Sequence, residues 1–184
     1  MSRKMLLGLA VVLLCSAGAV FASSTTTVNV LVTPVGVVSI LALDGAQYNF
    51  GDLDVKTSSN SATGVRLQNN GSVGISVEKY LYTETSPWDI SLSSTVTDGY
   101  DLFVGTAASG GRPTISDFEA NSANTEITAL GVGSKTNLTG ALNGVQVVLD
   151  PGAEVYTWYM IRMPVDITSS AQKTLAVRFV ASQN

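Results

Sequence analysis

The sequence predicts an all-β protein, an antiparallel β-sandwich of about nine strands with little or no helix. Apolar and polar residues alternate at period two through most of the chain after residue 22, and β-branched residues fill many of the apolar positions. Turn pairs such as Asp44-Gly45, Asp98-Gly99 and Pro151-Gly152 interrupt this pattern at the short intervals typical of sandwiches. We therefore expect the core to form from the apolar faces of strands.

Residues 1–22 have the features of a cleaved secretory signal peptide. Arg3 and Lys4 precede an apolar stretch over residues 5–14, and small residues follow up to the end of the segment. We expect cleavage to leave residues 23–184 as a single domain. That domain is then secreted, to the periplasm, the cell surface or the medium.

Composition after the signal argues against most catalytic chemistry. The chain has no histidine, and its only cysteine, Cys15, lies within the signal, so the commonest general base, metal ligand and thiol nucleophile are missing. Cys15 leaves lipidation open as an alternative, although Leu14 stands where lipoprotein signals carry a small residue. We expect no cofactor and no bound metal.

The charge balance also limits the partners. The signal takes two of the 10 basic residues, so 8 remain against 14 acidic ones and the net charge is 8 − 14 = −6. The acidic residues are scattered and no basic run exists, so we expect neither nucleic acid nor an anionic membrane surface as a partner. No later apolar stretch is long enough to predict a spanning helix.

The first two predicted strands are separated by Pro34 and Gly36. Residues 25–33 alternate cleanly, with Val28, Val30 and Val32 on one face, which is typical of a half-buried strand. Residues 37–43 form a continuous apolar run and predict a strand covered on both faces.

The middle of the chain predicts short strands and one long loop. Asn69-Asn70-Gly71 is a hairpin signal between strands over 64–68 and 73–77. Lys79 and Tyr80, further along, are interpreted as a surface charge and a half-buried ring. The remaining elements of this region are a short edge piece over 48–50, strands over 88–92 and 100–106, and an irregular stretch over 107–124, where Ser116 and Glu119 predict one helical turn.

The last third predicts three strands, over 145–149, 155–163 and 174–181, with Asp150-Pro151-Gly152 as the first turn. Trp158 lies at the centre of the longest strand, so we expect it to be buried in the core between the two sheets. Val177 and Phe179 share the core-facing side of the last strand.

Several of these turn and core residues resemble a known family. Phe50-Gly51 and the pattern Val65-x-Leu67-x-Asn69-x-Gly71 are similar to the signature of bacterial secreted immunoglobulin-like domains. The later Leu149-Asp150-Pro151-Gly152, Met163-Pro164 and final alternating strand resemble the ending of that family. The resemblance spans residues 48–181 and implies an immunoglobulin-like sandwich in an extracellular setting. It implies no catalytic or binding residue, because these domains serve as spacers, adhesins and assembly modules.

Paired carboxylates are the only acid–base system that this composition leaves. The candidate pairs are Asp52 with Asp54, Asp98 with Asp101, and Asp117 with Glu119. None has the density of oxygen ligands typical of a calcium loop. We expect the protein not to be an enzyme, and a carboxylate-based hydrolase remains the most distant alternative.

Aromatic residues leave open a carbohydrate- or protein-binding module. Tyr80, Tyr82 and Trp88 lie close in sequence, as do Tyr156, Trp158 and Tyr159. Flat rings on a sheet face bind sugars, but core packing explains the same residues.

The leading interpretation is a secreted structural or interaction protein, such as a subunit of a surface filament or layer. In this hypothesis the strand over 23–33 leaves its own sheet, and Val28, Val30 and Val32 enter a neighbour's core as the main chains pair. Head-to-tail exchange that does not close produces linear polymers. An ordinary first strand of the same domain is the alternative.

Overall fold

A computed structural model describes residues 36–45, 47–107, 111–141 and 143–184. The described chain confirms the predicted all-β class: ten strands form two antiparallel sheets, accompanied by two short α-helices. The first sheet contains β1 (Ile40–Ala42), β2 (Ser58–Asn60), β3 (Val65–Asn69), β5 (Asp101–Ala107), β6 (Glu126–Ile127) and β9 (Glu154–Arg162). The second contains β4 (Ile75–Glu84), β7 (Thr136–Asn137), β8 (Val148–Leu149) and β10 (Leu175–Gln183). The helices are α1 (Ile115–Ala120) and α2 (Ser122–Thr125), and Ile90–Leu92 and Val132–Ser134 form 3-10 turns.

The strand order is β1-β3-β9-β5-β6 in the first sheet and β10-β4-β7 in the second. β2 and β3 share one edge of β9, since Asn60 lies opposite Met160 while Val65 lies opposite Thr157. β8 pairs with the first residues of β4. The two long strands of the second sheet run antiparallel along their whole length, and Gln183 lies opposite Ile75.

The main core lies between the two sheets. It is lined by alternate residues of β4 on one side and of β5 and β9 on the other. Its fully buried members include Ile75, Val77, Leu81, Tyr100 and Val104. Burial of these side chains is the main stabilising contribution available to a chain whose described part has no disulfide.

A second, smaller core covers the outer face of the first sheet. Trp158 is 6% exposed and packs with Phe103, Met160 and Phe118 of α1. It is therefore buried beneath a helix, whereas the sequence predicts a position between the two sheets. The helix begins two residues earlier than predicted, because its N-cap is Thr114 and not Ser116. Thr114 caps it through the Asp117 amide, and Asp117 in turn accepts from the Thr114 amide at 2.7 Å.

The predicted hairpin around Asn69-Asn70-Gly71 is instead a crossing between the sheets, because β3 and β4 belong to different ones. Asn69 is fully buried, and its amide donates to the carbonyls of Val73 and Leu149 at 2.7 and 2.9 Å. Its side-chain oxygen accepts from the Gly71 amide. These bonds hold the crossing in place, so the residues that suggest a tight hairpin serve a wider turn.

Three further predictions differ from the structure. The apolar run over 37–43 contributes only the short edge strand β1, and Leu41 is 48% exposed. The predicted strand over 88–92 contains instead the 3-10 turn Ile90–Leu92, which Asp89 caps by accepting from the Ser91 amide. The piece over 48–50 makes no strand, and its rings pack on each other with centroids 4.8 Å apart.

Candidate functional site

The outer edge of β10 is the most unusual surface feature of the described chain. The strands at the other sheet edges, β1, β6, β7 and β8, are two or three residues long, whereas β10 has nine. β10 pairs with β4 on one side, and no other described segment hydrogen-bonds to its main chain. Within the described residues, the N–H and C=O groups that alternate along the other side therefore have no strand partner.

Half-buried apolar side chains lie directly under this edge. Alternate residues of β10 pack against the main core without being fully covered, although two residues opposite them on the adjacent strand, Val77 and Leu81, are fully buried. β1 lies next to β10 across the sandwich, and two of its residues are also half-buried. We call this surface the open flank; it consists of Ile40, Ala42, Leu175, Val177, Phe179 and Ala181.

Little charge protects the edge of β10. Sheet proteins commonly place charged residues on long edge strands to prevent pairing with other chains. Arg178 is the only charged residue in β10, and its guanidinium lies over the Tyr82 ring, 3.3 Å from the centroid. This contact directs the cation across the outer face of the sheet towards β4. The edge is left with apolar and small polar side chains.

The sequence-predicted site residues divide between this flank and the rest of the chain. Val177 and Phe179, predicted to be core residues, line the open flank and are half-buried. Val28, Val30 and Val32 of the predicted assembly strand lie outside the described residues. Trp158 lies in the second core, away from β10.

Asp98 and Asp101 anchor loops. Asp98 accepts from the Thr168 hydroxyl at 2.6 Å and from its amide at 2.9 Å, and these hydrogen bonds lower the pKa of the Asp98 carboxyl. Asp101 accepts from the Ser94 amide and hydroxyl and from Arg162. The two carboxylates thus have separate partners and no shared cleft.

The remaining carboxylate pairs also lack a shared site. Asp117 is occupied by the cap of α1, and Glu119 forms an ion pair with Arg162 at 2.8 Å. Asp52 and Asp54 are exposed. Within the described ranges, no group of three or more acidic, histidine or cysteine side chains is placed to hold a metal ion.

The aromatic residues do not form one binding face. Tyr80 and Trp88 are 5% and 9% exposed, whereas Tyr82 is 44% exposed on the outer face of β4. Tyr156 lines a concavity of about 620 Å³ together with Asn143, Gln146 and Glu154. This concavity offers one ring and several polar groups to a ligand.

Lys79, interpreted from the sequence as a surface charge, is fully buried. Its ammonium donates to the carbonyls of Asn124 and Asn137 at 2.9 and 2.8 Å, and burial lowers its pKa to about 8. The alternation Val77-x-Lys79-x-Leu81 contains the signal for this position, because it places the lysine on the inward face of β4.

Searches against protein-family models and curated proteins found no match to this chain. None of the helices in the described ranges is long and apolar enough to cross a membrane.

Proposed function

We propose that this chain is a secreted, non-enzymatic structural protein, a subunit of a surface filament or layer that assembles by exchanging its N-terminal strand. The nine-residue edge of β10, which has no strand partner among the described residues, carries this proposal. An exposed edge of this length above half-buried apolar residues is a template for pairing with another chain.

The order of the described strands supports an immunoglobulin-like topology in which one strand is absent from the described residues. A seven-stranded immunoglobulin sandwich has the sheets A-B-E-D and C-F-G. Here β1-β3-β9-β5 follows A-B-E-D in both chain order and neighbours, and β4-β10 follows C-F. The position of strand G is the outer edge of β10. An added strand at this position completes the sandwich and covers the open flank.

The N-terminal segment has the composition that this position requires. Residues 25–33 contain no charged side chain, and Val28, Val30 and Val32 alternate with the period of a strand. The segment and β10 are both nine residues long, so one can pair along the full length of the other.

The test compares two charge substitutions in this segment. Sedimentation of residues 23–184 over a range of concentrations should show oligomers that dissociate on dilution. Val30→Asp places a carboxylate on the face that must be buried and should abolish the oligomers. Asn29→Asp adds the same charge on the opposite face and should retain most of them.

An ordinary first strand gives a different result. The intact protein is then monomeric at every concentration, and Val30→Asp lowers its melting temperature without changing its oligomeric state. That outcome would favour the second candidate function, a carbohydrate- or protein-binding module. The concavity beside Tyr156 supports this alternative, because a tyrosine ring and several polar side chains line it.

A further inference from the structure

We infer that the outer edge of β10 receives residues 25–33 from a second copy of this chain, and that the received strand runs antiparallel to β10. The inference rests on the proposed function and specifies its acceptor, the origin of the donor and the direction of pairing. The direction follows from where the described chain enters the sandwich.

The entry point and the end of β10 lie at the same end of the sandwich. The Ser72 amide donates to the Val37 carbonyl at 2.9 Å, so the first described residues lie beside the crossing between β3 and β4. The last residues of β10 reach the same crossing, since Gln183 lies opposite Ile75 and the Asn184 amide donates to Gly74.

The short connection between residue 33 and Gly36 then fixes the direction in which residues 25–33 could pair with β10 of the same copy. Three residue steps separate residue 33 from Gly36, a span of about 10 Å at most. If the segment lay along its own β10, its end at residue 33 would therefore have to be next to Gln183. It would run in the same direction as β10, as a parallel pair.

A segment from another copy has no such restriction. It can enter from either end and form an antiparallel ladder, which is the more stable of the two per residue. All strand pairs within both sheets of the described chain are antiparallel. An antiparallel strand from a neighbour therefore continues the existing pattern of the second sheet.

Side-chain facing sets the register of the received strand. Directly opposite residues in an antiparallel pair lie on the same face of the sheet. With Val30 opposite Phe179, Val28 and Val32 face Ala181 and Val177, so that all three valines enter the open flank. Each copy then donates at one end and accepts at another surface, which is a head-to-tail contact that propagates into a filament.

Cysteine cross-linking tests the direction, because residues 23–184 contain no native cysteine. Thr27 faces away from the core in the proposed register and lies opposite Ser182. A parallel strand with the same valines inward places Thr27 opposite Ala176 instead, about 20 Å away along β10. Thr136→Cys on β7, at the far edge of the same sheet, is the matched control.

The experiment mixes a Thr27→Cys chain with a partner chain of different mass that carries one acceptor cysteine, followed by mild oxidation and a non-reducing gel. We expect the mixed disulfide with Ser182→Cys to exceed those with Ala176→Cys and Thr136→Cys several-fold. Preference for Ala176→Cys would overturn the direction. Equal yields in a protein that still sediments as oligomers would overturn the acceptor while leaving the proposed function intact.

Double variants on a single chain distinguish the two origins of the strand. Thr27→Cys with Ser182→Cys should give a disulfide-linked ladder of multimers. An internally linked monomer, from this variant or from Thr27→Cys with Ala176→Cys, would show that the segment pairs with its own domain and would overturn the inference. A protein that sediments as a monomer throughout would overturn the proposed function as well.

Discussion

Lys79 shows how a single buried residue connects three elements of the described chain, β4, α2 and β7. Its side chain extends from the inward face of β4, and its ammonium holds the carbonyls of Asn124 in α2 and Asn137 in β7. A neutral amine retains two N–H donors, which is the number that these two acceptors require. Deprotonation therefore keeps both hydrogen bonds and removes a buried charge, in agreement with a pKa lowered to about 8.

This lowered pKa predicts that stability rises with pH. Below pH 8 the lysine is protonated in both the folded and the unfolded state, so its ionisation does not make the free energy of unfolding vary with pH. Between about 8 and the ordinary value of 10.5, the unfolded state still holds the proton and the folded state does not. The free energy of unfolding should increase by about 2 kcal/mol between about pH 8 and 9.5.

Denaturant unfolding of the wild type and of Lys79→Met measures this slope. Lys79→Met should remove the rise, whereas Lys135→Met, which replaces a lysine paired with Glu78 at the surface, should keep it. The range stops at about pH 9.5 because the unfolded-state tyrosines ionise near 10, while burial raises the pKa of Tyr100 and Tyr159 in the fold. If Lys79→Met retains the slope, Lys79 stays protonated in the fold.

At the scale of elements, the sequence predicts strands and turns better than their partners. The long strand ending near Arg162 and the last strand follow their predicted ranges closely, because uninterrupted alternation specifies both type and length. The sequence also predicts the turn at Asn69-Asn70-Gly71, although none of the three residues adopts a positive φ. It does not predict the role of the turn, because residues that tolerate positive φ suit a hairpin and a crossing equally, and the side-chain bonds of Asn69 to the Val73 and Leu149 carbonyls decide between them.

The segment over 107–124 gives the clearest element-scale difference. The sequence predicts an irregular stretch with one helical turn, whereas the structure has two short helices there, and α1 packs Phe118 with Trp158 in the second core. The helix depends on its cap, which lies at Thr114 and not at the predicted Ser116. Two large apolar residues, Ile115 and Phe118, within a polar stretch do not reveal that a sheet face needs a cover.

Because Thr114 caps α1, substitution of this residue should lower stability more than substitution of Ser116. Thr114→Ala removes the hydroxyl that accepts from the Asp117 amide and should lower the free energy of unfolding by about 1 kcal/mol. Tryptophan fluorescence should shift as Trp158 loses part of its cover. Ser116→Ala tests the predicted cap and should have the smaller effect on both measurements. A larger loss from Ser116→Ala would place the helix start at Ser116.

At the scale of the whole molecule, the open flank depends on which strands become edges. Alternation places Val177 and Phe179 on one face and predicts that this face meets a core. Whether another strand lies beside β10 depends on how all the strands are distributed between the two sheets. That distribution follows from long-range pairings such as β10 with β4, whose partners are about 100 residues apart in sequence. Local patterns carry no signal for such pairings.

The charge of the whole molecule predicts how salt affects assembly. Residues 23–184 carry a net charge of −6, from 8 basic and 14 acidic side chains, so neighbouring copies in the proposed filament would repel each other. Residues 25–33 are uncharged, and the proposed contact gains its stability from main-chain hydrogen bonds and apolar burial. Salt should screen the repulsion and leave this contact unaffected.

Light scattering at a fixed protein concentration should therefore show a larger average mass at about 0.5 M NaCl than at about 0.02 M, because the screening length falls from about 20 Å to about 4 Å. A chain truncated before Pro34 lacks the donor segment and should keep the same mass at both salt concentrations. Oligomers that dissociate as salt rises would identify ion pairs as the main contact between copies. In that case the charged surfaces would hold the copies together, and the edge of β10 would not.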